Sequence, residues 1–383
     1  MDGAECLTGR AMTTSTESLP KSVAPLHGFI PSLEGMRAFA SIGIIVTHVA
    51  FQTGAANSPV MGRIWGRFDL AVALFFALSG FLLWRPHAAQ ARGMGRAQPI
   101  GRYLWSRAVR ILPAYWVVVT LVLLFLPNTG SSWRVWAANL SLTQVFVPLT
   151  LTEGMTQMWS LSVEVAFYFL LPFLGLALAG LRGDRARFRI PVVATVAAIS
   201  LCWAFVPVST PEAIHHDNWL PGYFPWFAAG MLLAEYTTSP RTWLHRLASR
   251  RLLMAAIALV AFALSVTPIA GPEGLVRPEP WQFEVKIVLG ALLAFALLAP
   301  LVLADGPRRV LEHPVTLALG RWSYGIFIWH LVILAMVFPV FGIIPFSGHF
   351  LLVLVVTVAL SIPVAAASYA LIEEPMRVWL RRR

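Results

Sequence analysis

Few residues in this 383-residue chain can do chemistry, because only 12% of it is charged, and several of those few interrupt long apolar stretches. His48 follows Arg37 by eleven positions, about 16 Å along a helix axis and nearly back on the same face. An imidazole there can take a hydroxyl proton as a general base, and a guanidinium can hold an anion. The pair reads equally well as a histidine bonded to a neighbouring helix and an arginine snorkelling to headgroups. Glu164 stands in another apolar stretch, about six residues inside one end of its expected span, the same depth at which His48 stands in its own, so the two are expected to meet. Beside an imidazole it would fix the tautomer and stabilise the imidazolium, and it could equally be half of an ion pair locking two helices. Trp159 and Ser160 precede it and Tyr168 follows one turn later, a polar and aromatic face suited to a sugar. An interfacial aromatic belt explains Trp159 as well.

Arg107 and Arg110 are three apart and share a helix face, which suits a phosphorylated ligand; topological charge or anionic lipid explains them too. Ser79 and Gly80 interrupt an apolar run after Phe75 and Phe76, a pattern of close helix packing more than of a nucleophile. His330, with Ser323 and Tyr324 two turns earlier, is a second intramembrane imidazole that either binds a ligand or satisfies the bundle. His215, His216 and Asp217 lack the further ligands a metal requires, so a solvated loop and no metal site are expected. Cys6 and Cys202 have neither metal-ligand nor disulfide spacing.

The elements that must position these residues are membrane helices. With 58% hydrophobic residues and a mean hydropathy of +0.71, the natural solvent is a bilayer, and apolar stretches near 20 residues recur. The pattern predicts an all-α integral membrane protein of about ten transmembrane helices. They lie near 36–54, 68–84, 111–127, 158–180, 190–208, 221–238, 252–269, 284–304, 322–343 and 349–372. Ten crossings put both termini on one side. If that side is cytoplasmic, only Arg63, Arg67, Arg134, Arg277 and Lys286 of the 29 basic residues face outward, in accord with the positive-inside rule. The net charge of +11 therefore tracks topology, and no nucleic-acid partner is expected. Val135 to Leu151 is apolar but broken by polar residues and Pro148, so a re-entrant or interfacial segment is expected rather than an eleventh span. Residues 1–31 read as a disordered cytoplasmic tail, too long before the first apolar stretch for a signal peptide, and 379–383 as a short basic one.

Taken in order, these segments resemble the membrane-bound acyltransferase-3 family, bacterial O-acyltransferases that modify cell-envelope glycans, glycolipids and macrolide sugars. The resemblance covers roughly 31–378 and rests on six motifs. They are Ser32 to Arg37 with His48; Phe75 to Phe81; Arg107 and Arg110 before Ile111, Leu112 and Pro113; Trp159 to Glu164 with Phe167 and Tyr168; Ser323 to Phe327 with His330; and Glu373, Glu374 and Pro375. It implies a domain over 32–378 in an inner (plasma) membrane, with cytoplasmic acyl-coenzyme A as donor and a sugar, glycolipid or glycan hydroxyl as acceptor. His48 and Arg37 would be the central catalytic pair, and Arg107 and Arg110 part of the donor site. Ser79, Tyr324 and His330 join them as donor-site candidates, and Trp159, Ser160 and Tyr168 are the acceptor candidates. Glu34 stands where the family usually has aspartate. The sequence stops at Arg383 without the soluble domain some members append, so a second transfer step would fall to another protein.

The expected chemistry is proton removal from the acceptor by His48, oriented by Glu164, as the oxygen attacks the thioester; an acyl-histidine intermediate is the variant. Acetyl is the default acyl group. The rival reading is a proton-coupled transporter or glycolipid flippase in which His48, Glu164 and Arg37 form a proton relay. The absence of visible repeats and of paired broken helices weighs against it.

Overall fold

The computed structural model describes residues 28–382 apart from 128, 130, 131 and 275. The expected disordered tail falls mainly on residues 1–27, outside the described residues. Among the described residues the chain is helical with no strand. In order, the α-helices are α1 Pro31–Gln52, α2 Met61–Gly66, α3 Ala71–Ala91, α4 Ile100–Phe125, α5 Trp133–Leu140, α6 Trp159–Ala177 and α7 Arg189–Ser200. There follow α8 Leu220–Thr237, α9 Trp243–Ser249, α10 Arg251–Ser265, α11 Pro280–Leu303, α12 Pro314–Val340, α13 Phe350–Ser368 and α14 Glu374–Arg381.

Helix starts follow local chemistry. Proline occupies the first turn of α1, α8, α11, α12 and α14, where its missing N–H removes no bond. Glu279 and Gln282 form a reciprocal cap on α11. Among the described residues eight helices are long and apolar enough to cross a membrane. They become nine if α9 and α10, bent by 85° at their junction, count as one broken span.

The expected ten crossings need one adjustment. The segment expected at 221–238 is α8, which is not among those apolar helices. Its Pro221, Tyr223, Pro225 and Glu235 lower its hydropathy. A helix enclosed by others on most sides has no need to match lipid, and most of α8 is buried. It packs on α3, α7 and α11. Gly230 and Gly80 permit the α3 contact: a Cβ at Gly230 would stand 1.8 Å from the Ala77 carbonyl oxygen, and one at Gly80 would stand 2.1 Å from that of Phe227. The Ser79–Gly80 break is thus a packing device at its glycine.

A buried ion cluster locks α3, α7 and α8 together. Glu235, fully buried, accepts from Trp84 Nε1 and Arg189 Nε at 2.7 Å each and from Arg92 at 2.6 Å. Arg67 is also fully buried. Its Nε donates to the Ser265 carbonyl at 2.6 Å and its Nη2 to those of Ala270 and Gly271, satisfying backbone freed at the end of α10. His216 and Asp217, expected in a solvated loop, are buried instead, beneath Trp203.

The segment from 133 to 158 holds the eight-residue α5, irregular chain and a short 3-10 turn at Thr156–Met158. Its buried side-chain amides satisfy that irregular backbone. Asn139 donates to the Val135 and Thr150 carbonyls at 2.9 and 2.8 Å, and Gln144 to that of Met158 at 3.1 Å. At the other end, α13 passes through a π turn at Tyr369–Glu373 into α14.

Candidate functional site

Helices α1, α3, α4, α6 and α12 enclose a cavity of about 110 Å³. Arg37 of α1, Arg107 and Arg110 of α4, Ser79 of α3, Glu164 and Tyr168 of α6, and Tyr324 of α12 line it, with Phe75 and Phe327 among its apolar walls. The third span was expected to begin at 111, but α4 begins at Ile100, so both arginines lie two to three turns inside the helix. Their i,i+3 spacing turns both toward the cavity.

The cavity is cationic, with built-in counterweights. Arg37 donates to Glu34 one turn back, at 3.0 Å, so the longer Glu34 still reaches its arginine. Glu164 Oε1 accepts from Ser79 Oγ and from Tyr168 OH, each at 2.7 Å. The Nε of Arg107 is buried with no hydrogen-bond partner among the described residues. A buried donor of that kind costs free energy unless a ligand satisfies it, and a guanidinium pair suits phosphate or carboxylate oxygens. Tyr324 lines the cavity, yet its hydroxyl donates to the Ile111 carbonyl at 2.8 Å. It fixes α12 against α4 at the arginine level.

Beyond Phe327 lies a histidine pair. The Phe327 ring is 6.4 Å from that of Phe75 and 6.2 Å from that of His330. His330, fully buried, faces the Phe327 and Ile326 carbonyls with Nδ1 at 2.8 and 3.1 Å, and its Nε2 lies 3.0 Å from His48 Nδ1. Carbonyls only accept, so His330 Nδ1 carries the proton. In the neutral ring its Nε2 then accepts, which makes His48 Nδ1 the donor. The lone pair of His48 is left on Nε2, the arrangement a general base requires.

Arg37, Arg107, Arg110, Ser79, Tyr324, Ser160, Glu164 and Tyr168, assigned from the sequence to separate catalytic, donor and acceptor groups, all line this one cavity. The expected His48–Glu164 pair is corrected. Glu164 bonds Ser79 and Tyr168, and His48 bonds His330. The matching of their depths assumed that the fourth span starts at the membrane surface. In fact α6 starts inside the bundle: Met155, Gln157 and Met158 are buried, and Gln157 donates to the Phe327 and Ile328 carbonyls at 3.4 and 3.3 Å. Glu164, seven residues on, is about 10 Å further toward the arginines. Trp159 lies against Tyr223, 5.0 Å between rings, and does not line the cavity. His330 is likewise not a cavity residue but the partner of His48. Arg37 lines the cavity, about 16 Å along α1 from His48, and so stands apart from the imidazole. The aromatic Phe75–Phe327 contact and the histidine pair had no local signal, since they join residues more than 250 positions apart.

An acyltransferase domain family model matches residues 30–366. Acyltransferase MdmB of Streptomyces mycarofaciens is 29% identical over 324 residues, covering 80% of this chain and 79% of its own. Peptidoglycan O-acetyltransferase OatA of Listeria monocytogenes serovar 1/2a is 23% identical, covering 91% of this chain and 56% of its own. O-acetyltransferase OatA of Staphylococcus aureus strain NCTC 8325 is 27% identical, covering 95% and 60%. The chain thus spans little more than half the length of the two OatA proteins. No solved structure matches.

Proposed function

This chain belongs to the acyltransferase-3 family, and we propose that it moves a small acyl group, acetyl by default, from acyl-coenzyme A to a sugar hydroxyl at the inner (plasma) membrane. That it is a multi-pass membrane acyltransferase follows from the family and the helices. The observation that carries the finer reading is the order of groups along α1 and α12: an arginine-lined cavity, then Phe327, then an imidazole with a free Nε2.

Arg107 and Arg110 hold phosphate oxygens of the donor from the cytoplasmic side, while Arg37 and Ser160 meet the thioester arm. The thioester passes between Phe75 and Phe327 to His48. There Nε2 takes the hydroxyl proton as the oxygen bonds to the thioester carbonyl carbon. The C–S bond breaks, and the imidazolium returns the proton to the departing thiolate. His330 accepts from His48 Nδ1–H throughout, keeping the ring oriented and steadying its positive charge. Glu164, tethered by Ser79 and Tyr168, offsets the arginine charge so that the site holds its shape without a ligand.

The relatives named as O-acetyltransferases, one of them for peptidoglycan, support acetyl and a glycan hydroxyl. The test is acetyl-coenzyme A turnover by purified protein in lipid nanodiscs with a panel of glycosides. Acceptor-dependent release of free thiol is the expected result. Proton-coupled solute flux in liposomes without thiol release from any donor would replace this reading with a transporter.

A further inference from the structure

A second pocket, of about 630 Å³, opens at the other end of the same two helices. It is framed by Phe51 and Gln52 at the end of α1, Glu153 and Thr156 ahead of α6, Phe338 of α12 and Phe346 in the loop that follows. Along α1 the order is Arg37, His48, then Phe51 and Gln52; along α12 it is Tyr324 and Phe327, His330, then Phe338. On both helices the histidine pair stands between the two spaces. Gln52 is one turn past His48, about 6 Å along the axis and on the same face.

The lining combines two chemistries. Phe51 and Phe346 meet edge to face, 5.7 Å between rings, and Phe338 adds a third aromatic wall. Glu153 contributes a carboxylate, Gln52 an amide and Thr156 a hydroxyl, and both Glu153 and Thr156 are exposed. A sugar ring needs this mixture, with apolar C–H faces to lay on aromatic rings and hydroxyls to bond to carboxylate and amide. The loop bearing Phe346 is fastened to α1, since Phe346 N–H donates to the Gln52 carbonyl at 2.8 Å and Gly348 N–H to that of Thr53 at 2.9 Å.

We propose that this pocket binds the sugar of the acceptor and presents its hydroxyl to His48, an assignment that rests on the acyl-transfer reading. Donor and acceptor then approach the imidazole from opposite ends of α1 and α12. Both can then occupy the protein together, as direct transfer from thioester to hydroxyl requires.

The probes are acetyl-coenzyme A and octyl β-glucoside below its micellar concentration, with the full chain in nanodiscs. Replacing a charged hydrogen-bond acceptor and an amide, as in Glu153→Gln with Gln52→Ala, should raise the acceptor KM about tenfold, with the donor KM within about twofold. A normal donor KM also shows that the variant is folded. A second measurement places one thiol in the pocket, Thr156→Cys with Cys6→Ser and Cys202→Ser, and follows maleimide labelling. Octyl β-glucoside should slow labelling several-fold and coenzyme A should leave it unchanged. An acceptor KM unaltered by the substitutions and labelling indifferent to the glucoside would overturn the pocket while wild-type turnover leaves the enzyme standing. Wild-type protein silent with every donor would overturn the reading beneath it.

Discussion

Replacing His330 isolates the contribution of the histidine pair, because His330 touches the proposed base and lines neither cavity. His330→Phe keeps a ring of similar size and leaves little room for a substituting water, but removes the acceptor for His48 Nδ1–H. A buried donor left without its partner costs about 1–3 kcal/mol. If that loss falls on the orientation of His48 in the transition state, kcat drops roughly 5- to 150-fold. The alternative tautomer, with the proton on Nε2, adds to the loss because that nitrogen can no longer take a proton. His330→Gln places a carbonyl oxygen near the same spot and should recover most of the rate, to within about tenfold of wild type. The assay is initial-rate thiol release in nanodiscs with both substrates varied. Donor and acceptor KM should stay within about threefold, since binding is not what His330 supplies. Wild-type kcat in folded His330→Phe, or a glutamine variant no better than phenylalanine, would refute the tautomer reasoning.

Arg107→Ala should raise the KM for acetyl-coenzyme A about 10- to 100-fold through loss of charge-assisted bonds, with Arg107→Lys intermediate; equal KM values in steady-state kinetics would remove the arginine from the donor site. Ser79→Ala should keep at least a tenth of wild-type kcat, because Ser79 holds Glu164 and attacks nothing, so a loss to background would point to a serine nucleophile. Glu235→Ala should destabilise the fold by about 3–5 kcal/mol by stranding the buried Arg189, read as a lowered melting temperature in detergent. Gly230→Val should disrupt the α3–α8 contact and cost about 1–3 kcal/mol or more, visible as lost monodispersity in size-exclusion chromatography.

The membrane class and most helix positions were legible because apolar length is a local property; Arg37 and Glu164 stood out as charges within apolar stretches, Arg107 and Arg110 by their shared helix face, and Tyr168 by its place one turn after Glu164. Their grouping was harder to read. Counting residues from predicted span ends put Glu164 beside His48, whereas α6 starts on the buried Gln157 and carries its carboxylate to the arginines. The length of α4 was hidden because its first turns carry Arg102, Arg107 and Arg110. A hydropathy window ends the span at these residues, although the guanidinium groups of Arg107 and Arg110 turn inward. The segment expected at 221–238 did pick out α8, although its hydropathy is lowered by residues such as Glu235, which groups from other helices neutralise. The His48–His330 bond depends on how α1 and α12 pack, which no spacing within either helix encodes.

The central claim is that the His48 imidazole removes the acceptor proton. Thiol release from acetyl-coenzyme A in nanodiscs, with and without a glycoside acceptor, tests it directly in His48→Ala beside wild type, with donor binding measured in both. The account predicts that acceptor-dependent release falls by at least about a hundredfold while the donor still binds. Acceptor-dependent release in His48→Ala equal to wild type would contradict it.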